Sequence, residues 1–192
     1  MTREDILDAA AQVIRKKGFH AASMADIAQA VNLQKASLYH HVASKQEILL
    51  ALLDRAIDML TERIAPLAAQ TAQSAPADEK LRGMIHAYLQ LMAENADLAS
   101  VLLFEHRSLE PKQHARHIPN RDRFEALWRD VILEGVNSKK FTCSDPGLAA
   151  RALLGTLNWT LTWYRPNGSM TIEEIADQIT DLLFKGLSAK PI

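Results

Sequence analysis

The polar residues with the most suggestive spacing lie between positions 23 and 48, in the run SMADIAQAVNLQKASLYHHVASKQEI. Hydroxyl, amide, amine and imidazole side chains of this kind form hydrogen bonds with the base edges and phosphates of DNA. The side chains predicted to face bases are Gln34, Lys35, Ser37 and His40. Those predicted to contact phosphates are Ser23, Tyr39 and Lys45.

The surrounding pattern predicts two short helices joined by a tight turn. Ser23 and Asp26 have the spacing of a capping box, and apolar residues recur at helical spacing after them. Asn32 stands where the turn requires a residue that tolerates positive φ. The second helix is predicted over 34–42, with Leu38 and Val42 inward, and the capping box Ser44-Lys45-Gln46-Glu47 opens a third helix. This arrangement is a helix-turn-helix, whose second helix can enter a major groove.

From Ile6 to Leu53 the chain resembles the N-terminal domain of TetR-family transcriptional repressors. The resemblance rests on an ordered set of features: ILDAAAQVIRKKGF, the DIA of Asp26–Ala28, the SLYHH of Ser37–His41 and the SK of Ser44-Lys45. It implies a repressor that binds operator DNA as a dimer and carries a small-molecule site in its C-terminal half. One departure concerns Gln34, which stands where the family usually has a capping Ser or Thr.

Composition agrees with this interpretation without requiring it. The 192 residues carry a net charge of only −1, and residues 1–50 are nearly balanced, so affinity for double-stranded DNA must depend on where the charges lie. The single cysteine excludes an intrachain disulfide, and no apolar run is long enough to cross a bilayer. We therefore expect a cytoplasmic protein with no membrane partner. No GxSxG, P-loop or GxGxxG motif is present, so neither an enzyme nor a cofactor is expected.

The whole chain shows helical patterns and no strand signal, so the predicted fold class is all-α. An N-terminal three-helix DNA-binding domain is predicted over 1–48, and a helical ligand-binding and dimerisation domain over 49–192. Further helices are expected from Lys45 to Pro66 and over 78–94, 97–107, 119–139, 146–164 and 172–186. The cap Asp145-Pro146 and a capping box of Thr171 with Glu174 are predicted to open the last two. The intervening Glu105, His106, His114 and His117 are interpreted as an exposed polar loop rather than a metal site.

The second half holds most of the aromatic and methionine residues. Seven are predicted to line a cavity for a small hydrophobic effector: Met84, Tyr88, Met92, Phe104, Trp128, Trp159 and Trp163. Ordinary core packing is the competing interpretation for each of them. The run LLGTLNWTLTWYRPNG, Leu153–Gly168, also resembles a TetR subset that often senses acyl-CoA thioesters or related lipid and steroid metabolites. That resemblance implies an acyl-CoA-like effector, with a lipophilic drug as the alternative.

A homodimer is expected because one recognition helix contacts only a few base pairs, whereas two-fold pairing doubles the contact on a palindrome. The predicted interface is formed by apolar faces of the last two helices. Its residues are Leu148, Ala152, Gly155, Ile175, Ile179, Leu182 and Leu183. A further alternative is a helix-turn-helix adaptor that binds a protein partner instead of DNA.

Overall fold

The computed structural model describes residues 2–72 and 74–187, and in this part of the chain it contains α-helices and no β-strand. The predicted all-α fold class is therefore confirmed. The helices are α1 (Arg3–Lys17), α2 (Met24–Ala30), α3 (Lys35–Leu38), α4 (Lys45–Ala68), α5 (Ala77–Glu94), α6 (Ala96–Phe104), α7 (Pro111–Asn137), α8 (Pro146–Trp163) and α9 (Ile172–Leu187). A short 3₁₀ turn, His106–Ser108, lies between α6 and α7.

The helices form two units. Unit 1 contains the residues up to Asp58 together with Asn95–Arg121, and unit 2 contains Met59–Glu94 together with the residues from Asp122 onward. The chain therefore crosses between the units inside α4, between α5 and α6, and inside α7. The domain boundary predicted at residue 48 stays a prediction. The structural unit that holds the helix-turn-helix extends to Asp58 and includes a second segment, Asn95–Arg121, that is distant in sequence.

Local sequence explains the helix ends in unit 1. Thr2 caps α1 through a reciprocal capping box with Asp5, and Gly18 ends the helix with a φ of 78°, in the region that favours glycine. The first helix of the predicted helix-turn-helix starts as expected, since Ser23 and Asp26 form both bonds of a capping box. The core below these caps is aliphatic. Its fully buried members include Ile6, Ile14, Ile27, Leu38, Leu49, Leu53 and Val101.

The segment 95–121 differs most from the sequence prediction. The helix expected to start near Pro119 starts at Pro111 instead, and Pro119 lies inside it. Pro111 occupies the first helical position, where its missing N–H costs nothing. Side chains of the added turns bond to α4, and these tertiary contacts offset the hydrogen bond lost at Pro119. The predicted exposed loop is wrong for this reason.

Unit 2 consists of the last turns of α4, α5, the C-terminal part of α7, α8 and α9. Asp145 caps α8 with Pro146 at the first helical position, and Thr171 forms a capping box with Glu174 at the start of α9, both as predicted. The helix α4 continues to Ala68, two residues beyond the Pro66 at which it was expected to end. Lys80 is buried and pairs with Glu134 at 2.7 Å, which joins α5 to α7.

Candidate DNA-binding surface and effector site

The helix-turn-helix is built on a left-handed turn. Asn32 has a φ of 53°, as its position in the sequence predicted, and the chain reverses there between α2 and α3. The α-helical part of the recognition segment is shorter than the predicted 34–42, because α3 spans only Lys35–Leu38. Gln34 occupies the N-cap without a side-chain capping bond. After Leu38 the backbone continues in tighter i→i−3 bonds, from His40 to Ser37 and from His41 to Leu38.

The inward and outward faces of the recognition segment agree with the prediction. Leu38 and Val42 are buried in the core of unit 1. Gln34, Lys35, Tyr39 and His40 are exposed, and Ser37 is half-buried. The segment therefore presents a face of donors and acceptors to solvent, supported from below by apolar packing. Which of these side chains contacts DNA stays a prediction.

Lys45 lies differently from what its predicted phosphate contact requires. Its Nζ donates to the carbonyl oxygens of Phe19 at 2.7 Å, Ala22 at 2.8 Å and His20 at 3.3 Å. The ammonium also lies 4.4 Å from the centroid of the Phe19 ring, a cation–π distance. All three donor positions of an ammonium are thus directed at the turn between α1 and α2. In this structure Lys45 holds that turn.

Ser23 and Asp26 form a cap of the candidate surface that carries an ionised carboxylate. The Asp26 carboxylate accepts from Lys17 Nζ at 2.7 Å and from the Ser23 backbone N–H at 2.9 Å. The hydrogen bond from Lys17, followed by those from Ser23, lowers the pKa of Asp26 to about 2. Ser23 Oγ also bonds to this carboxylate at 2.8 Å. Asp26 is therefore ionised at neutral pH and fixes the start of α2.

A set of bonds that the sequence did not reveal ties residues 105–117 to the first turns of α4. The Gln46 side chain bonds to the backbone of this segment twice, at the Ser108 carbonyl oxygen (2.9 Å) and the Glu110 N–H (3.1 Å). Ser44 caps α4 as predicted, at 3.1 Å from the Glu47 N–H. The Glu47 carboxylate, however, accepts from Arg116 at 2.8 Å rather than completing the predicted box. The bonded residues are more than 60 positions apart in sequence, so only the folded structure brings them together.

His117 is buried rather than exposed. Its Nδ1 lies 2.7 Å from an Asp54 carboxylate oxygen on α4, and its side chain is almost inaccessible. In the described part of the chain, no three His, Cys, Asp or Glu side chains lie close enough to hold a metal ion. His106 is half-buried, and desolvation, with a smaller contribution from Arg107, lowers its pKa.

Four of the seven predicted effector residues are buried in unit 2: Met84, Tyr88, Met92 and Trp128. Tyr88 and Trp128 contact each other edge to face at 5.9 Å between centroids, and Phe124 joins them at 6.2 Å from Trp128. The Tyr88 hydroxyl donates to Asn158 Oδ1, and burial raises the pKa of Tyr88. Phe124 and Asn158 were not among the seven predicted effector residues. Phe124 lies about one helical turn before the predicted Trp128, and Asn158 directly precedes the predicted Trp159.

The other three predicted effector residues are not part of this buried cluster. Trp159 and Trp163 on α8 are 69% and 47% exposed, and Phe104 is 59% exposed and belongs to unit 1. Spacing of four residues places both tryptophans on one face of α8, but the opposite face of that helix is the one that meets the core. The structure thus separates the predicted cavity set into a buried cluster and exposed side chains.

The outer face of α8 is apolar and exposed. Leu148, Ala152, Gly155 and Trp159 are all exposed, and among the described residues a Cβ added at Gly155 would meet nothing within 4 Å. Beside it, an apolar depression of about 200 Å³ lies between α5, α7, α8 and α9. Its lining consists of Leu81, Ile132, Ala149, Ala152, Leu153, Leu182 and Leu183. Of the predicted interface residues on α9, Leu182 is exposed, Ile179 and Leu183 are half-buried and Ile175 is buried.

Comparison with known families identifies the class of protein. Residues 6–52 match the bacterial regulatory proteins of the tetR family, and residues 74–187 match the tetracyclin repressor-like C-terminal domain. The chain belongs to the TetR family of transcriptional regulators.

Individual relatives agree over nearly the whole chain. The HTH-type transcriptional repressor KstR2 of Mycobacterium tuberculosis is 26% identical over 99% of this chain and 94% of its own length. Among solved structures, the TetR-family regulator PfmR of Thermus thermophilus is 37% identical, with a TM-score of 0.85 over 95% of this chain and 98% of that one. AibR, solved in complex with isovaleryl coenzyme A and operator DNA, is 26% identical, with a TM-score of 0.87 over 95% and 97%.

These findings confirm that the protein is a helix-turn-helix transcriptional regulator and not an enzyme. Within the described residues, no helix is both long and apolar enough to cross a membrane.

Proposed function

We propose that this chain is a dimeric repressor that binds a palindromic operator and is released by a small hydrophobic effector with an acyl-thioester-like group. The observation that carries the proposal is the exposed recognition segment on a buried apolar base, in a chain of this family. Its DNA target implies a cytoplasmic location.

DNA binding is assigned to the exposed side of the helix-turn-helix. Lys35, Ser37 and His40, with Gln34 beside them, are proposed to contact base edges, because they lie on the solvent side of a segment anchored by Leu38. Tyr39, Ser23 and Lys45 are proposed to contact phosphates. To contact a phosphate, the Lys45 ammonium must give up at least one of its hydrogen bonds to the carbonyl oxygens of Phe19, His20 and Ala22. This loss would reduce what Lys45 contributes to DNA affinity.

Dimerisation is assigned to the exposed apolar face of α8 and to Leu182 of α9. A water-exposed stripe of leucine, glycine and tryptophan is unfavourable in a monomer. In an isologous dimer this stripe would be buried on both protomers, because each contributes the same surface to the interface. The open space at Gly155 allows close approach of a second α8. Two recognition segments related by a two-fold axis would then contact two half-sites.

The effector class is supported by the buried aromatic cluster and by the relatives. KstR2 is described as a ketosteroid transcriptional regulator, and AibR was solved with isovaleryl coenzyme A. Met84, Tyr88, Met92 and Trp128 are buried apolar and aromatic side chains, the residue types that commonly line sites for such ligands. An effector bound in unit 2 is proposed to weaken DNA binding through α4 and α7, both of which run continuously into unit 1.

Fluorescence anisotropy with DNA from upstream of the protein's own coding region tests the proposal. We expect saturable binding with a steep salt dependence, and release on addition of an acyl-CoA series of increasing chain length. A tenfold weakening of operator affinity corresponds to about 1.4 kcal/mol of differential binding, which a few buried methylene groups supply.

The possible failures point in different directions. Specific DNA binding that responds to cationic dyes, but to no acyl-CoA, would assign the protein to drug sensing. Thioester binding without operator release would show a site that is not coupled to DNA. Absence of DNA binding under low salt would leave the protein-partner adaptor and reject the repressor.

A further inference from the structure

A basic stretch of the chain lies outside the helix-turn-helix. Residues 106–121 hold four lysine and arginine residues and one acidic residue, a net charge of +3. Because the whole chain has a net charge of −1, the rest of it carries −4. Double-stranded DNA is a polyanion, so this stretch has the charge of a DNA-binding surface. Its position in the fold decides what it can contact.

The fold places this stretch beside the first turns of α4, directly after the helix-turn-helix. The Gln46 side chain accepts from the Glu110 N–H at 3.1 Å. Asp54, eight positions further along α4, lies 2.7 Å from Nδ1 of His117, which is seven positions further along the stretch. The partner on α4 thus advances together with the position on α7. The two helices therefore run parallel in unit 1 and begin at about the same level.

The same stretch also reaches the turn between α1 and α2. Ser108 Oγ lies 3.3 Å from His20 Nε2, and His20 is three positions before Ser23. Lys45 Nζ donates to the carbonyl oxygen of the same His20 at 3.3 Å. The loop that leads into α7 therefore lies next to the part of the helix-turn-helix that holds Ser23 and Lys45, both proposed to contact phosphates.

Arg107 and Lys112 present their charges to solvent, since both residues are exposed. Arg116 is exposed too, but its guanidinium pairs with the Glu47 carboxylate at 2.8 Å. This pairing also favours an anionic partner, because Glu47 is the acidic residue in the first turn of α4 and would otherwise repel phosphate. A positively charged surface formed by Arg107 and Lys112 thus continues from the start of α4.

We infer that Arg107 and Lys112 contact DNA phosphates beside each operator half-site, and so extend the DNA-binding surface beyond the helix-turn-helix. The inference rests on the proposed repressor function and deepens it by adding a second segment of the chain to the interface. Phosphate contacts carry no base sequence, so these two residues supply affinity and orientation rather than sequence preference. They supply positive charge that residues 1–50, which are nearly balanced, do not provide.

The salt dependence of DNA binding tests these contacts. Fluorescence anisotropy compares the wild-type protein with the double variant Arg107→Gln/Lys112→Gln on operator and scrambled duplexes. The proposed dimer would lose four phosphate contacts in this variant, so between about 50 and 200 mM salt the slope of log affinity against log salt should become shallower by roughly three to four. Affinity should fall by a similar factor on both duplexes. The matched control, Arg129→Gln/Lys139→Gln, removes equal charge from exposed positions of unit 2 and should keep the wild-type slope.

A second variant is expected to gain affinity, a result that partial unfolding does not produce. Glu110 is exposed and is the one acidic residue in 106–121. Glu110→Gln keeps the backbone N–H that donates to Gln46 and removes a charge that repels phosphate. We expect this variant to bind both duplexes about two- to fivefold more tightly at low salt. Glu173→Gln, at an exposed position of α9, is its control and should bind like the wild-type protein.

The other outcomes contradict the inference in distinguishable ways. If the wild-type protein binds the operator and the double variant keeps the wild-type slope, these phosphate contacts are rejected and the repressor function stands. An equal change of slope in the Arg129→Gln/Lys139→Gln control, or no gain of affinity in Glu110→Gln, rejects them as well. A double variant that keeps its slope but loses affinity for coenzyme A would assign the stretch to an effector head group. A wild-type protein that binds neither duplex rejects the repressor function itself.

Discussion

At the scale of single residues, the charged side chains near the recognition segment divide into those available to DNA and those engaged in the fold. Lys35 is exposed, whereas Lys45 donates to three backbone carbonyl oxygens. Both residues are lysines in one short stretch, so their sequence context alone suggests a common role. The difference arises because α4 begins directly beside the turn between α1 and α2, where carbonyl oxygens at the end of α1 lack helical partners.

Replacing Lys45 by Met should destabilise the fold. The change leaves carbonyl oxygens of Phe19 and Ala22 without their donor, so we expect the free energy of unfolding to fall by about 1–3 kcal/mol. Lys35→Met is the matched control and should leave stability unchanged. Urea denaturation followed by circular dichroism measures both. Lys35→Met should instead weaken binding to the preferred operator by about 1–3 kcal/mol and relax its sequence preference, as expected for a lost base contact. A Lys45→Met protein that is as stable as wild type but has a reduced salt slope would show that Lys45 contacts phosphate and is not needed to hold the turn.

Asp26 should make stability depend on pH in acid. Its pKa is lowered from the ordinary aspartate value of 3.8 to about 2 in the folded chain, so the stabilising contribution is present above the ordinary value. That contribution is lost as the pH falls through the folded pKa of about 2. We expect the melting temperature of Asp26→Asn to be lower than wild type at pH 5, with the difference shrinking at pH 2. Because Lys17 is the largest cause, Lys17→Met should move the carboxyl titration of Asp26 upward in an NMR pH series. An unmoved titration would contradict this assignment.

At the scale of helices, two glycines in helices occupy opposite environments. A Cβ added at Gly135 of α7 would lie 2.1 Å from the Phe141 ring, while one added at Gly155 of α8 would meet open space. Phe141 also contacts Phe184 of α9, with ring centroids 5.7 Å apart. Gly135 is therefore needed for the packing at the end of α7. Among the described residues, nothing packs against Gly155 in this way.

Substitution of each glycine by alanine should separate these roles. Gly135→Ala forces the Phe141 ring to move and should lower the free energy of unfolding by about 1–3 kcal/mol. Gly155→Ala removes backbone freedom in a helix interior and should preserve stability or raise it by roughly 0.5–1 kcal/mol. Thermal melts of the two variants beside the wild-type protein test this. Equal losses would mean that Gly155 is covered in the native protein in a way that alanine disturbs.

A larger side chain at Gly155 should weaken the proposed dimer without unfolding the chain. Gly155→Leu has room within the protomer, but a second α8 crossing there would collide with it. Sedimentation equilibrium should show a dimer for the wild-type protein at micromolar concentration and a shift towards monomer for the variant. Leu133→Glu, on an exposed position of α7, is the matched control and should leave the dimer intact. A dimer unaffected by Gly155→Leu would place the interface elsewhere.

At the scale of the whole molecule, effector and operator are linked by thermodynamics. If an acyl-CoA weakens operator affinity tenfold, the operator must weaken acyl-CoA affinity tenfold as well. We expect calorimetric titration of octanoyl-CoA to show this loss when the protein is saturated with operator DNA. A scrambled duplex of equal length is the control and should leave the acyl-CoA affinity unchanged at moderate salt. If octanoyl-CoA weakens operator binding but operator DNA does not weaken octanoyl-CoA binding, the two ligands are not linked through this protein.

Much of the architecture follows from the sequence alone. The capping boxes at Ser23 and Thr171, the capped start of α8 at Asp145 and the left-handed turn at Asn32 were all predictable. So were the buried and exposed faces of the recognition segment. Each of these depends on residues three or four positions apart, and such interactions operate wherever the chain forms a helix. The family itself was predictable because its motifs occupy one continuous stretch.

Other features required the tertiary structure. Periodicity placed Trp159 and Trp163 on one face of α8 but not the side on which the core lies, and they are exposed. Pro119 predicted a helix start, yet bonds from α7 to Glu47 and Asp54 extend the helix back to Pro111. These features depend on contacts between residues that are far apart in sequence. A local sequence pattern does not specify which distant side chain will pack against a given residue.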